Sequence, residues 1–204
     1  LSDTLIAGKV EDLKKLVQQA IDEGTGASEI LNQALMPGMD VVGERMENGD
    51  MFIPEVLMSA KAMSGTLEIL KPLLTPEESK SAGKVIIGTV KGDLHDIGKN
   101  LVAMMLESAG YEVVNLGVDI APENFVEAVK KHEAQVVALS ALLTTTMPQM
   151  QKTIAALQES GLKDQVKVIV GGAPVTEKYA KEIGAEGYAP DAGSANKLVK
   201  SLMH

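Results

Sequence analysis

The 204-residue chain has no cysteine and no tryptophan, and only three tyrosines, two phenylalanines and three histidines. Without cysteine there can be no disulfides, thiolate metal sites, iron–sulfur clusters or thiol nucleophiles. With aromatics at 2%, the core has to be built from aliphatic side chains and from the 11 methionines. Cations are also in deficit, 19 Lys and Arg against 28 Asp and Glu, for a net charge of −9. A face that neutralises phosphates is therefore not expected, nor is nucleic acid as a direct partner. The N-terminus, "LSDTLIAGKVEDLKKL", lacks a basic stretch followed by an apolar one, and no uninterrupted apolar run reaches membrane-spanning length. A cytoplasmic protein with no membrane partner is the expectation.

What is present falls into two patterns. Residues 1–73 read as helical. In "EDLKKLVQQAID", Leu13, Leu16, Val17, Ala20 and Ile21 recur at spacings of three and four, as one buried helix face requires. A second helix starts at Ser28 and carries Ile30, Leu31, Ala34, Leu35, Met39, Val42 and Met46 on one side, and Pro37 within it predicts a kink or break. A third begins near Pro54, because proline is favoured in the first turn. These helices make a small bundle. Residues 74–83, "LTPEESKSAG", have linker composition and mark the domain boundary.

From 84 to 204 the pattern changes. Short β-branched runs, "KVIIGTV", "EVVNLG", "QVVALSA" and "VKVIVGG", occupy 84–90, 112–117, 135–141 and 166–172, with helical stretches at 98–109, 122–132, 147–160 and 176–183 between and after them. A fifth short strand, "EGYAP", and a last helix, "SANKLVKSLM", complete the alternation. Continuously apolar strands alternating with helices predict a parallel sheet covered on both faces. The fold class is therefore α/β, with an N-terminal helical bundle cap followed by a flavodoxin-like (Rossmann-type) doubly wound parallel five-stranded sheet. Ligands of such sheets bind beyond the carboxyl ends of the strands. There the loops "KGDLHDIGKN", "SALLTTTMPQ" and "GGAPVTE" converge.

The first loop ends in Gly98-Lys99 ahead of a helix, as a phosphate-binding loop does. The spacing refuses that reading: five residues separate Gly92 from Gly98 where four are needed, and Asn100 stands where a magnesium-binding hydroxyl belongs. A phosphoacceptor aspartate at the end of the third strand is also missing, since that position is Ser140. The plainest reading of His95 is a structural or capping histidine. Against it, Asp93 lies two residues earlier in a tight turn, where it can accept the Nδ1 proton and leave the Nε2 lone pair pointing outward. Gly92 and Gly98 permit an unusual backbone and close approach by something large. A zinc or iron site cannot be assembled around His95, because cysteine is absent, His132 sits in a charged helix end and His204 is the last residue. A metal held by one protein ligand must bring its other ligands along, which points to a macrocycle with an axial position open to imidazole, a corrin or a haem. Haem pockets usually have aromatic walls, and aromatics are scarce here. Taken alone, "SALLTTT" reads as a strand end followed by a helix capped by Thr145 or Thr146 ahead of Pro148, and Gly171-Gly172 as an ordinary tight turn. Taken together, Ser140, Thr144, Thr146 and the two glycines form a wall of small and hydroxyl-bearing groups suited to a bulky ligand beside His95.

Asp93-x-His95-x-x-Gly98, then 41 residues to Ser140-x-Leu142, then 28 residues to Gly171-Gly172, resembles the signature of the B12-binding domain of cobalamin-dependent methyltransferases and mutases. The front half, "ALMPGMDVVGERMENGDMFIPEVLMSAKAM", is similar to the helical cap of methionine synthase and of small corrinoid methyl-carrier proteins. The resemblance implies a cap over 1–73 and a B12-binding domain over 84–204. It implies that cobalamin, or a related corrinoid, is held base-off/His-on, with its nucleotide tail in a channel of the sheet. His95 would be the lower axial ligand of cobalt, Asp93 its hydrogen-bonded partner, and Thr146 the hydroxyl completing the relay. Gly98, Ser140, Leu142, Thr144, Gly171 and Gly172 would line the cofactor site, with Tyr188 in the closing segment "GYAPDAGSA". Met36, Met39, Met46, Met51, Met58 and Met63 read individually as core, and some of them would face the methyl-bearing side of the corrin.

The function the resemblance implies is methyl carriage. The chain would alternate between methylcobalamin and cob(I)alamin forms, moving the methyl from a substrate:corrinoid methyltransferase to a second methyltransferase that serves tetrahydrofolate or a thiol coenzyme. A reductive activase would be a further partner. No nucleophile and base pair is evident, so the chain is expected to be a methyl-carrier subunit and not catalytic alone. The alternatives are a B12-dependent sensor or regulatory protein, or a fragment of a larger B12-dependent methyltransferase. A detached mutase subunit is disfavoured by the helical cap. The methyl donor stays open among methanol, methylamines, methoxylated aromatics, methyl sulfides and betaines.

Overall fold

The computed structural model describes residues 1–78 and 80–203. The chain divides into two compact units, Leu1–Ser81 and Ala82–His204. The first is helical, with α1 (Ser2–Ile6), α2 (Val10–Asp22), α3 (Ala27–Ile30), α4 (Met36–Glu47) and α5 (Ile53–Leu70). Leu13 and Val17 of α2 are fully buried, as the three-four spacing requires, together with Leu5, Leu35, Val42, Val56 and Leu70. Pro37 leaves its mark one turn upstream. Its ring crowds the carbonyl four residues back, and Leu31–Leu35 form a turn of π-helix between α3 and α4. At the start of α5 the Glu55 carboxylate accepts the Phe52 N–H at 2.9 Å, which satisfies one of the donors the helix end leaves free. Of the six methionines singled out in the sequence, Met39, Met51 and Met63 are buried, Met36 and Met46 are half-buried, and Met58 is exposed.

The second unit alternates strand and helix: β1 (Lys84–Thr89), α6 (Ile97–Ser108), β2 (Glu112–Asn115), α7 (Pro122–His132), β3 (Val136–Ser140), α8 (Pro148–Glu159), β4 (Lys167–Gly171), α9 (Glu177–Glu182), β5 (Gly187–Ala189) and α10 (Ala192–Met203). All pairings are parallel, in the order β2-β1-β3-β4-β5. The strands read as near-continuous apolar runs because helices cover both faces. On one face Ile86, Val137, Leu139, Val168 and Val170 pack with Phe125 of α7 and Met150, Ile154 and Leu157 of α8. On the other, Val85, Ile87, Val136, Ala138 and Ile169 pack with Ala103 and Leu106 of α6 and Val199 of α10.

The chain order reverses between β1 and β3, so their loops diverge and leave a crevice at the carboxyl edge of the sheet. The last rung there is Thr89, Ser140, Gly171 and Ala189, in register across β1, β3, β4 and β5. Gly172 follows with φ +124°, and a Cβ on it would lie 1.9 Å from the Ala141 carbonyl oxygen. Close backbone approach and a left-handed conformation thus both demand glycine at this position. Gly172→Ala is expected to destabilise the protein by about 2–3 kcal/mol, read as a lowered urea midpoint with an unchanged slope.

Candidate functional site

The site is organised around a carboxylate with no exposure to solvent. Asp93 follows β1 in a turn that Gly92 opens at φ +83°, and its side chain is 0% exposed. One oxygen, Oδ1, receives the His95 N–H at 3.1 Å and contacts the His95 Nδ1 at 2.7 Å. The other, Oδ2, accepts from the Leu142 N–H at 2.8 Å, the Leu143 N–H at 3.2 Å and the Thr146 hydroxyl at 2.7 Å. Burial alone would raise the carboxyl's pKa. The hydrogen bonds from Thr146, from the His95 ring and from the Leu142 and His95 amides outweigh it and hold Asp93 well below the usual carboxylate range. Because Asp93 is ionised, the short contact requires the proton on His95 Nδ1, and the free lone pair is therefore on Nε2.

Three further contacts brace the loop. The buried Thr89 hydroxyl donates to the His95 carbonyl at 2.8 Å. Asp119, in the loop after β2, accepts the Gly92 N–H at 2.7 Å and donates its own N–H to the Asp93 carbonyl at 3.0 Å. Its backbone is left-handed, at φ +56°. The His95 side chain itself is 51% exposed. Leu94 and Ile97 beside it in sequence, and Leu142 and Leu143, whose amides bind Asp93, are exposed large apolar side chains. Gly98 has nothing within 4 Å of where a Cβ would stand. One outward imidazole nitrogen among exposed aliphatic groups, with open space at Gly98, fits the axial ligand of a flat metal macrocycle that carries its own in-plane donors. No group of three or more metal-ligating side chains occurs among the described residues, and His204 lies outside them.

The structure brings Asp93, His95, Leu142 and Thr146 into one hydrogen-bonded cluster, and sets Ser140 and Gly171 side by side on the last rung. Thr144 is exposed. Tyr188 is not part of this arrangement. Its side chain packs against the core on the α7 and α8 side of the sheet, whereas strand alternation directs Ser140 and Gly171 to the α6 and α10 side. Neither Thr145 nor Thr146 caps α8. The N-cap position is Met147, and the Thr146 hydroxyl points instead to Asp93 and the Leu143 carbonyl. Asp96 stands at the N-cap of α6 without a side-chain cap bond; its carboxylate accepts from Asn100 at 3.0 Å.

Sequence reasoning missed Thr89, Asp119 and Lys99. Lys99 is 4% exposed and donates to Asn115 at 2.7 Å and Asn100 at 2.5 Å. Burial pushes its amine down in pKa, with Asp96 opposing. The signal for Lys99 was present: it sits on the inward face of α6, four residues before Ala103, where an apolar residue was due.

Two family models match the chain, each described as a B12 binding domain, one over residues 83–196 and the other over 1–71. A dimethylamine corrinoid protein of Methanosarcina acetivorans is 45% identical over 97% of this chain and 95% of its own length. A trimethylamine corrinoid protein of Methanosarcina mazei is 44% identical over 93% of this chain and 88% of its own. Among solved structures, a cobalamin-binding protein of Desulfitobacterium hafniense aligns over 98% of this chain and 95% of its own, with TM-score 0.85 and 32% identity. The methanol:cobalamin methyltransferase complex of Methanosarcina barkeri aligns over 99% of this chain and 77% of its own, with TM-score 0.85 and 33% identity. No helix among the described residues is long and apolar enough to cross a membrane. With both of its units matched and relatives aligned along nearly its full length, the chain belongs to the B12-binding corrinoid proteins.

Proposed function

We propose that this chain carries a methyl group on a corrinoid held base-off/His-on, with 1–73 as the helical cap and 84–204 as the corrinoid-binding domain. It receives the methyl from a substrate-specific methyltransferase and yields it to a second methyltransferase serving tetrahydrofolate or a thiol coenzyme. A reductive activase restores the active cofactor, and the cycle runs in the cytoplasm. The observation that carries this reading is the half-exposed His95 ring, pinned to a buried anion through Nδ1 with Nε2 free. Relatives named for dimethylamine and trimethylamine systems, and a structural neighbour from a methanol system, support a one-carbon donor of that class.

When bound, the corrinoid supplies the cobalt that takes up and releases the methyl group. The protein's part is to position and to exclude. His95 Nε2 would hold the cobalt, and Asp93 fixes the ring's tautomer and tilt. The Thr146 hydroxyl and the Leu142 and Leu143 amides keep Asp93 anionic, so that it accepts from Nδ1 and leaves Nε2 unpaired. Leu94, Ile97, Leu142 and Leu143 give an aliphatic bed that keeps water from the metal's lower side. Ser140, Gly171 and Gly172 leave room for the nucleotide tail, with Thr144 at the rim.

Three outcomes test the reading. Cobalamin-loaded parent protein should show a base-off spectrum carrying an axial nitrogen ligand, and His95→Ala should lose that nitrogen signature in electron paramagnetic resonance of the Co(II) form; identical spectra would remove His95 from the metal. Asp93→Asn puts an amide NH2 where one of two buried acceptor oxygens met backbone N–H donors, and is expected to cost about 3 kcal/mol of stability, seen in urea unfolding of the apo protein. Methyl transfer from methylamines and methanol to the Co(I)-loaded protein, each with its own methyltransferase, should proceed with one donor at least tenfold faster than the rest. Turnover without any partner enzyme would contradict the carrier role.

A further inference from the structure

Asn196 is 5% exposed, and its side-chain oxygen Oδ1 is buried without any hydrogen-bond partner, the one such side-chain atom among the described residues. Buried polar atoms are nearly always paired, and an orphan needs a physical reason. Its place in the fold supplies one. Helix α10 starts beside the carboxyl end of β5 and runs back along the sheet: Leu198 lies over Gly187, the first residue of β5, and Met203 reaches Gly83 just before β1. Val199 packs into the apolar cluster of Ile87, Ala138 and Ile169. Asn196 is three residues earlier on the same inward face, about 4.5 Å nearer the carboxyl edge. That moves it towards the carboxyl edge, on the α6 and α10 side to which strand alternation directs Ser140 and Gly171. Its inward neighbours on the helix are Ala192 and Ala195, both buried and both small.

We propose that Asn196 reads the nucleotide tail of the corrinoid, its Oδ1 accepting a hydrogen bond from an N–H or O–H on that tail. The proposal rests on the corrinoid-binding reading above. An oxygen acceptor calls for a donor. The tail offers one in its ribose hydroxyls, or in an amino or hydroxyl group on the lower base; a dimethylbenzimidazole base offers none.

The test compares parent and Asn196→Leu, a variant of similar volume that removes the unpaired acceptor. Full-length apo protein is titrated with cobalamin and with cobinamide, which lacks the nucleotide tail, and binding is read by absorbance. The variant should bind cobalamin about tenfold more weakly and cobinamide within about twofold of the parent. Equal cobalamin affinities, or the same loss for both ligands, would overturn the proposal, and Asn196→Ala gives the same comparison should leucine crowd the site. Failure of the parent protein to bind cobalamin would sink the corrinoid reading itself, and this proposal with it. Because the lower base of cobalamin carries no donor, the loss seen with cobalamin places the donor on the ribose; a corrinoid bearing an adenine base should show the same loss, and equal affinities of parent and variant for that corrinoid would overturn the assignment.

Discussion

A carboxylate removed from water must be compensated by hydrogen bonds or it does not stay charged, and in this protein that condition shapes the whole site. Asp93 meets it with donors from its own turn, from the backbone after β3 and from the Thr146 hydroxyl. The loops after β1 and β3 are therefore tied together through one anion. That tie holds the His95 ring in place, turns its Nε2 outward, and leaves the side chains of Leu142 and Leu143 to the solvent side, since their amides are directed inward.

The tie has to bridge two loops that the topology directs apart. In a sheet ordered β2-β1-β3-β4-β5 the helices after β1 and β3 lie on opposite faces, so the loops part at the carboxyl edge and leave a crevice between them. Backbone then has to run close to backbone. Gly172, where the Ala141 carbonyl leaves no space for a Cβ, shows how tightly the neighbouring strand end is packed. On the α6 and α10 side the residues are small: Ser140 and Gly171 on the strands, Ala192 and Ala195 on the helix.

The fold was legible because its signals are periodic and local. Four β-branched runs with helices between them specify a parallel doubly wound sheet, and the helical unit followed from its three-four spacing and its prolines. The Asp93 and His95 contact was legible for a similar reason, since two residues in one tight turn cannot be far apart. Contacts that close across the sheet were not. Nothing local to Thr146 distinguishes a helix-capping hydroxyl from one that turns back to Asp93, 53 positions away in sequence, and Asp119 meets Gly92 only because β2 lies beside β1. The face that Tyr188 takes was likewise not legible, because one residue of strand alternation decides which side of the sheet its ring packs on.

The arrangement around Asp93 is asymmetric, and the asymmetry leaves the His95 ring free to move. If the His95 ring turns away from Oδ1, the Oδ2 oxygen keeps its three donors from Leu142, Leu143 and Thr146, and Oδ1 still receives the His95 backbone N–H. The buried charge stays satisfied, so the two loops need not rearrange when the ring moves.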